Sequence, residues 1–148
     1  MADFANPLPG TINEVTAVPA ASPDEAFEHF SGLLALETDC WDVHASSIGD
    51  GFVLLDVRSP DLYEEGHVPG AVNLPHRRIV ERNLEPFDDG VLFVVYCAGP
   101  HCNGADKAAM RLAALGRPVK KMIGGIEGWK DEGFELATGP TADGEAAQ

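Results

Sequence analysis

Two stretches of the chain are almost uninterruptedly apolar. Phe52-Val53-Leu54-Leu55-Asp56-Val57 follows the turn signal Asp50-Gly51, and Val91-Leu92-Phe93-Val94-Val95-Tyr96 follows Asp88-Asp89-Gly90. Runs this short, with little polar alternation, predict strands of a parallel sheet covered on both faces. Helical spacing surrounds them. Ser22-Pro23-Asp24-Glu25 combines an N-cap serine, a proline at the first helical position and a capping-box glutamate. Phe27, Phe30, Leu33 and Leu34 follow at helical intervals, ahead of Glu37. Thr38-Asp39 predicts the cap of a short helix through Trp41, Val43 and His44. Ala71 to Pro75 reads as a short strand and Arg77 to Asn83 as a short helix. Ala105 to Leu115 predicts a helix with Ala108, Ala109, Leu112 and Leu115 inward, stopped by Gly116. Val119 to Ile123 is a last strand, Ile126 to Glu132 a last helix, and Ile12 to Val18 a weak strand candidate. This β-α alternation predicts one α/β domain, a mostly parallel sheet flanked by helices on both faces. The domain is expected over residues 11–137, after a flexible arm at 1–10 and before a small, polar, disordered tail at 138–148.

Composition narrows the function classes. At 148 residues the chain is long enough to bury a core. Its net charge of -14 argues against a nucleic-acid partner or an anionic membrane, because both repel an acidic surface. No apolar run approaches the roughly 18 residues that would span a bilayer. The first residues lack the basic-then-apolar pattern of a signal peptide. Three cysteines do not make a disulfide scaffold, so reduced thiols and a cytoplasmic location are expected.

The candidate chemistry lies at the junction Tyr96-Cys97-Ala98-Gly99-Pro100-His101-Cys102-Asn103-Gly104-Ala105-Asp106, where a buried strand ends, a Gly/Pro-containing loop follows and a helix begins. Sites in open α/β sheets form beyond the carboxyl ends of the strands. Gly99 and Gly104 are expected to take φ > 0 and curl the backbone, so that amides from Ala98 to Gly104 and the helix N-terminus cradle an anion. A thiol held there has its thiolate stabilised and its pKa lowered. Cys97 is therefore the expected nucleophile. Cys102 is open between a resolving thiol and a small loop filler, and Cys40 reads as an inert core or boundary thiol. His101 is the sole cationic candidate of the loop. Asp56 and Arg58, two apart at a strand end, share a face and predict an ion pair. Gly66-His67-Val68-Pro69-Gly70 reads as a turn in which His67 braces the loop by hydrogen bonds, and Trp129 as core packing.

Three segments resemble one known family. Val53 to Pro60 followed by Tyr63-Glu64-Glu65-Gly66-His67-Val68-Pro69-Gly70-Ala71-Val72-Asn73-Leu74-Pro75 is similar to the first rhodanese signature. Gly124-Gly125-Ile126-Glu127-Gly128-Trp129 through Phe134 is similar to the second, and Cys97 falls where the catalytic cysteine falls between them. The resemblance covers about residues 22–136 and implies a compact parallel sheet with persulfide chemistry. The cysteine takes a sulfane sulfur from a small-molecule or protein donor, loop amides hold the charged persulfide, and the sulfur passes to a thiophilic acceptor. No cofactor and no metal are implied.

The chain departs from the family pattern at one place. Sulfurtransferases of this family often carry Arg or Lys about five residues after the cysteine; here Cys102 and Asn103 stand there, and the next cation is Lys107. Without a guanidinium a bidentate oxyanion contact is missing, so poor use of thiosulfate is expected, with a persulfide or polysulfide as donor. The same lack weighs against related phosphatases and arsenate reductases. A zinc site of Cys97, His101 and Cys102 has unusual spacing and no evident fourth ligand. The remaining alternative is a catalytically silent rhodanese-like module that binds a partner or regulates.

Overall fold

The computed structural model describes residues 13–140. In chain order it forms α1 (Pro23–Leu36), β1 (Glu37–Thr38), α2 (Cys40–Ala45), β2 (Phe52–Asp56), α3 (Pro60–Glu65), β3 (Val72–Asn73), a 3-10 helix (His76–Arg78), α4 (Glu81–Leu84), β4 (Leu92–Tyr96), α5 (Gly104–Ala114), β5 (Val119–Met122) and α6 (Gly125–Asp131). The expected arm and residues 141–148 of the expected tail lie outside the described residues. Thr138 to Pro140 are in place, with the Gly139 amide donating to Glu64 O at 2.8 Å.

The chain divides into two units, Met1–Gly32 and Leu33–Gln148. In the first, the expected strand at 12–18 is not formed over its described part. Asn13 Oδ1 instead accepts from the amides of Val15 and Thr16, at 3.0 and 3.1 Å. An asparagine side chain that caps its own downstream amides wins over β-branched propensity in a segment with no neighbouring strand. The start of α1 follows its capping signal, with the Glu25 amide on Ser22 Oγ at 3.2 Å. Its apolar residues are not buried: Phe27 and Phe30 are exposed. The spacing specifies a helix and not what covers it.

The second unit holds the sheet, ordered β1-β5-β4-β2-β3 and parallel at every pairing. The two most apolar runs, β2 and β4, pair along their full length from Phe52↔Leu92 to Asp56↔Tyr96. Successive side chains alternate between two cores. Leu54, Val94 and Tyr96 face one, closed by α2, α3 and α6; Leu55, Phe93, Val95 and Cys97 face the other, closed by α5 and the segment 74–87. Burying these strands on both faces contributes about 1.5–3 kcal/mol per large apolar side chain before conformational entropy is set against it.

Several boundaries differ from expectation for local reasons. Glu37 leaves the first helix and pairs with Lys121 in β1. The helix expected over Arg77–Asn83 is broken into two pieces because Ile79 turns into the core and Val80 is extended, at φ -134 and ψ 157. In α5, Ala105, Ala108 and Leu112 are buried whereas Leu115 is not. The carboxyl ends of β2 and β4 lie side by side, and the candidate loop begins directly after β4.

Candidate active site

The site rests on a polar network at those two strand ends. Asp56 is fully buried; its carboxylate takes Arg58 Nη2 at 2.7 Å, Arg58 Nε at 3.0 Å and the Tyr96 hydroxyl at 2.8 Å. Arg58 Nη2 also donates to Gly66 O at 2.7 Å, which ties the turn after α3 to the strand. The Tyr96 oxygen accepts the Val68 amide at 3.0 Å, and Asn73 Nδ2 donates to the carbonyls of Asp56 and Arg58, each at 3.0 Å. Burial, with Asp56 beside it, pushes the Tyr96 phenol far up, so it stays a donor. His67 Nδ1 donates to Tyr63 O at 2.7 Å, its ring stacks on Tyr63 at 3.6 Å, and its backbone bridges to Ala137. A buried pair this well supplied with partners holds geometry firmly, and removing one member strands the other.

The loop itself is held mainly through its backbone. The Ile126 amide donates to Cys97 O at 3.0 Å and the Glu127 amide to Ala98 O at 2.9 Å. Because trans peptide units point N–H opposite to C=O, anchoring these two carbonyls on α6 turns the amides of Ala98 and Gly99 away from it. The Gly125 backbone fits this contact only as glycine: φ is +59°, and a Cβ there would collide with Cys97 O and with Gly99 N at 2.8 Å. The Cys102 amide then donates to Gly99 O at 3.0 Å, closing a turn with Pro100 and His101 at its tip.

That turn folds Cys102 back on Cys97. The two Sγ atoms are 2.6 Å apart and both thiols are free. Gly104 stands against the pair; a Cβ there would lie 2.7 Å from Cys97 Sγ and 3.4 Å from Cys102 Sγ. Neither Gly99 nor Gly104 has positive φ. Glycine is needed at Gly104 for space beside the sulfurs, and the left-handed backbone sits at Gly124 and Gly125 beneath the loop. His101 is exposed at the turn tip, and Asn103 precedes α5 without a side-chain cap.

The electrostatics reverse one expectation. Cys97 is 8% exposed, and burial pushes its thiol up to about 11, reinforced by its hydrogen bond to Cys102. The lowered thiol is Cys102. Its contact with Cys97 favours its thiolate most, the Gly104 amide reaches its sulfur at 3.4 Å, and Lys107 adds to the same effect. The helix N-terminus thus serves the second cysteine more than the first. Cys40 is separate: burial, with Asp39 and Glu132 nearby, pushes it up to about 11, and its thiol faces the carbonyls of Ile123 and Gly125 at 3.6 and 3.8 Å.

A cavity of about 520 Å³ opens over Cys97 and Cys102, walled by Cys40, Asp39, Glu132 and Lys121. Lys121 is already engaged by Asp106 at 2.9 Å and Glu37 at 3.7 Å. Cys102 also lines a second cavity of about 490 Å³ together with His101 and Asn103. Among the described residues, no three His, Cys, Asp or Glu side chains gather as metal ligands. Cys97, Cys102, Gly104 and the amide of Ala98 come together; Asp56, Arg58 and His67 stand behind them as support. Sequence reasoning missed the Tyr96 hydroxyl, Asn73 and the two α6 amides. The Gly124-Gly125 pair was the visible signal for the last of these, since adjacent glycines at a strand-to-helix junction mark a close backbone approach.

The Rhodanese-like domain family model matches residues 42–132. The chain is 33% identical over 100 residues to the thiosulfate sulfurtransferase GlpE of Pseudomonas entomophila, covering 66% of this chain and 84% of that protein. It is 35% identical over 86 residues to the HTH-type transcriptional regulator Rv0324 of Mycobacterium tuberculosis, which is 58% of this chain but only 38% of the regulator's length. The crystal structure of the BH2092 protein from Bacillus halodurans matches with a TM-score of 0.73 and 37% identity, over 79% of this chain and 87% of that one.

Proposed function

This chain belongs to the rhodanese-like family, and we propose that it is a sulfurtransferase that carries sulfane sulfur as a persulfide on Cys97 and uses thiosulfate poorly. The observation that carries this reading is the Cys97–Cys102 contact at the end of the central strand, opening into a cavity with no unpaired cation. Cys97 attacks the outer sulfur of a hydropersulfide or polysulfide. The donor's S–S bond breaks, the Cys97 proton goes to the departing sulfur, and the donor leaves as a thiol. The new S–S bond makes Cys97 a persulfide, and the Ala98 amide, turned from α6, supports its charge. A thiophilic small molecule or protein then attacks the outer sulfur and frees Cys97.

Thiosulfate is disfavoured because the position that would supply a guanidinium holds Cys102, and Asp39, Asp106 and Glu132 line the cavity. A dianion meets like charge and no bidentate donor. Three free cysteines support a reducing cytoplasm as the compartment, and no helix among the described residues is long and apolar enough to cross a membrane. The test is steady-state sulfur transfer to cyanide from thiosulfate and from polysulfide, with intact mass of the protein after each. A gain of about 32 Da on Cys97 with polysulfide, and at least tenfold lower kcat/KM with thiosulfate, is expected. Equal kcat/KM for the two donors refutes the donor preference.

A regulatory reading has one observation in its favour: the similar stretch in the Mycobacterium tuberculosis protein belongs to a transcriptional regulator. A Cys97 inert to every sulfane donor would turn the proposal to that reading.

A further inference from the structure

We infer that Cys102 resolves the Cys97 persulfide, closing a Cys97–Cys102 disulfide and expelling hydrosulfide, so that the loop reduces sulfane sulfur as well as carrying it. This rests on the persulfide reading above. The geometry supplies the first argument. The turn closed by the Cys102 amide on Gly99 O brings Cys102 Sγ to 2.6 Å from Cys97 Sγ, the inner sulfur of the persulfide. The outer sulfur, one S–S bond further out, projects toward the cavity. Gly104 keeps the space beside the two sulfurs clear, since any Cβ there would crowd Cys97 Sγ. No other thiol competes, because Cys40 is turned to the carbonyls of Ile123 and Gly125.

The second argument is the direction of the reaction. The Cys102 thiolate attacks Cys97 Sγ; a new S–S bond forms between the two cysteines, the bond to the outer sulfur breaks, and that sulfur leaves with the electron pair as hydrosulfide. Sulfane sulfur is reduced to sulfide while the two cysteine sulfurs are oxidised to a disulfide. Attack by Cys102 on the outer sulfur would only move that sulfur from one cysteine to the other and close no disulfide. Cys102 is the pair's lowered thiol and so is a thiolate more often at neutral pH. Over the whole cycle one hydropersulfide and two thiols become one thiol, one sulfide and one disulfide. A dithiol reductant then returns the pair to its reduced form. Cys102 also lines the second cavity, which leaves it within reach of such a reductant.

The experiment uses the full chain, reduced and freed of reductant, without oxygen, and one equivalent of glutathione hydropersulfide. Intact mass, peptide mapping and released sulfide are read for wild type, Cys102→Ser, Cys102→Ala and Cys97→Ser. The inference requires wild type to lose about 2 Da as a Cys97–Cys102 cross-link and to release one sulfide per chain. Both Cys102 variants must instead hold a gain of about 32 Da on Cys97, with at least tenfold less sulfide in the same time. A wild-type Cys97 persulfide as long-lived as that of Cys102→Ser overturns the resolving role and leaves the persulfide reading standing. No adduct on Cys97 in either Cys102 variant, or an adduct on Cys102 in Cys97→Ser that matches wild-type sulfide release, overturns both.

Discussion

Tyr96 and Cys97 are neighbours in sequence and face opposite cores of the same sheet. On the Tyr96 side, side chains hold side chains: the phenol, Asp56 and Arg58 share a set of short hydrogen bonds, and Asn73 braces the Asp56 carbonyl. On the Cys97 side, the backbone is clamped by the α6 amides while the sulfur's side-chain partner is another sulfur. The first arrangement loses stability when any member is removed. The second can exchange its sulfur partner without disturbing the frame that places it. A site that must make and break an S–S bond needs this division, with rigidity next door and freedom at the reacting atom.

The comparison breaks most readily at Asp56. Asp56→Ala leaves Arg58 buried without its partner and Tyr96 without its acceptor, and about 3–5 kcal/mol of stability is expected to be lost in urea denaturation. A loss no larger than that of Cys102→Ser would show that the network is not the firm half. Gly125→Ala puts a Cβ on Cys97 O at a positive φ; about 2–4 kcal/mol should go, and sulfur transfer should fall with it because the clamp itself moves. Tyr96→Phe strands the Val68 amide and takes one donor from Asp56 for about 1–3 kcal/mol, while alkylation of Cys97 and Cys102 should keep its wild-type pH profile. Cys102→Ser, at a half-exposed position, should cost about 0.5 kcal/mol or less by the same measurement.

Alkylation rates against pH sharpen the contrast without any loss of fold. A thiol raised to about 11 stays protonated at neutral pH. Cys102, lowered, is expected to react with iodoacetamide first, and Cys97 only as the pH climbs toward 11. In Cys97→Ala the contact that chiefly lowers Cys102 is gone, so the Cys102 profile should move to higher pH. Lys107→Met should move it the same way by less, since Lys107 has the weakest of the influences that lower it. A Cys102 profile unchanged in Cys97→Ala would mean that the contact does not tune the pair.

Most of the fold was legible because β2 and β4 are buried on both faces, and two-sided burial writes itself as continuous apolar sequence. The position of Cys97 followed from the same signal. Errors gathered where a segment's partner lies far along the chain. Glu37 looks helical until Lys121 is beside it, and Val80 looks helical until Ile79 is drawn into the core. The site was legible in its residue types and not in its electrostatics. Cys97 stands at a strand end near a helix N-terminus, which by itself points to a lowered pKa. The 8% exposure and the turn that hands the Gly104 amide to Cys102 are properties of the folded loop, and they shift the acidity by one turn of chain. Gly99 and Gly104 were recognisable as necessary glycines; that Gly104 serves as empty space, and not as unusual backbone, needed the sulfurs in place.

The sheet's two flanks carry a consequence of their own. β1 and β3, the outermost strands, are two residues each, while β2 and β4 between them have five. On either outermost strand an incoming chain finds only two residues to pair with, which disfavours edge-to-edge polymerisation without help from charge. The most adhesive sequences of the chain are enclosed, with Leu54, Leu55, Phe93, Val94 and Val95 all buried. Their hazard is confined to the unfolded state, and variants that open the sheet should aggregate through these runs before they show any change in the chemistry of the thiols.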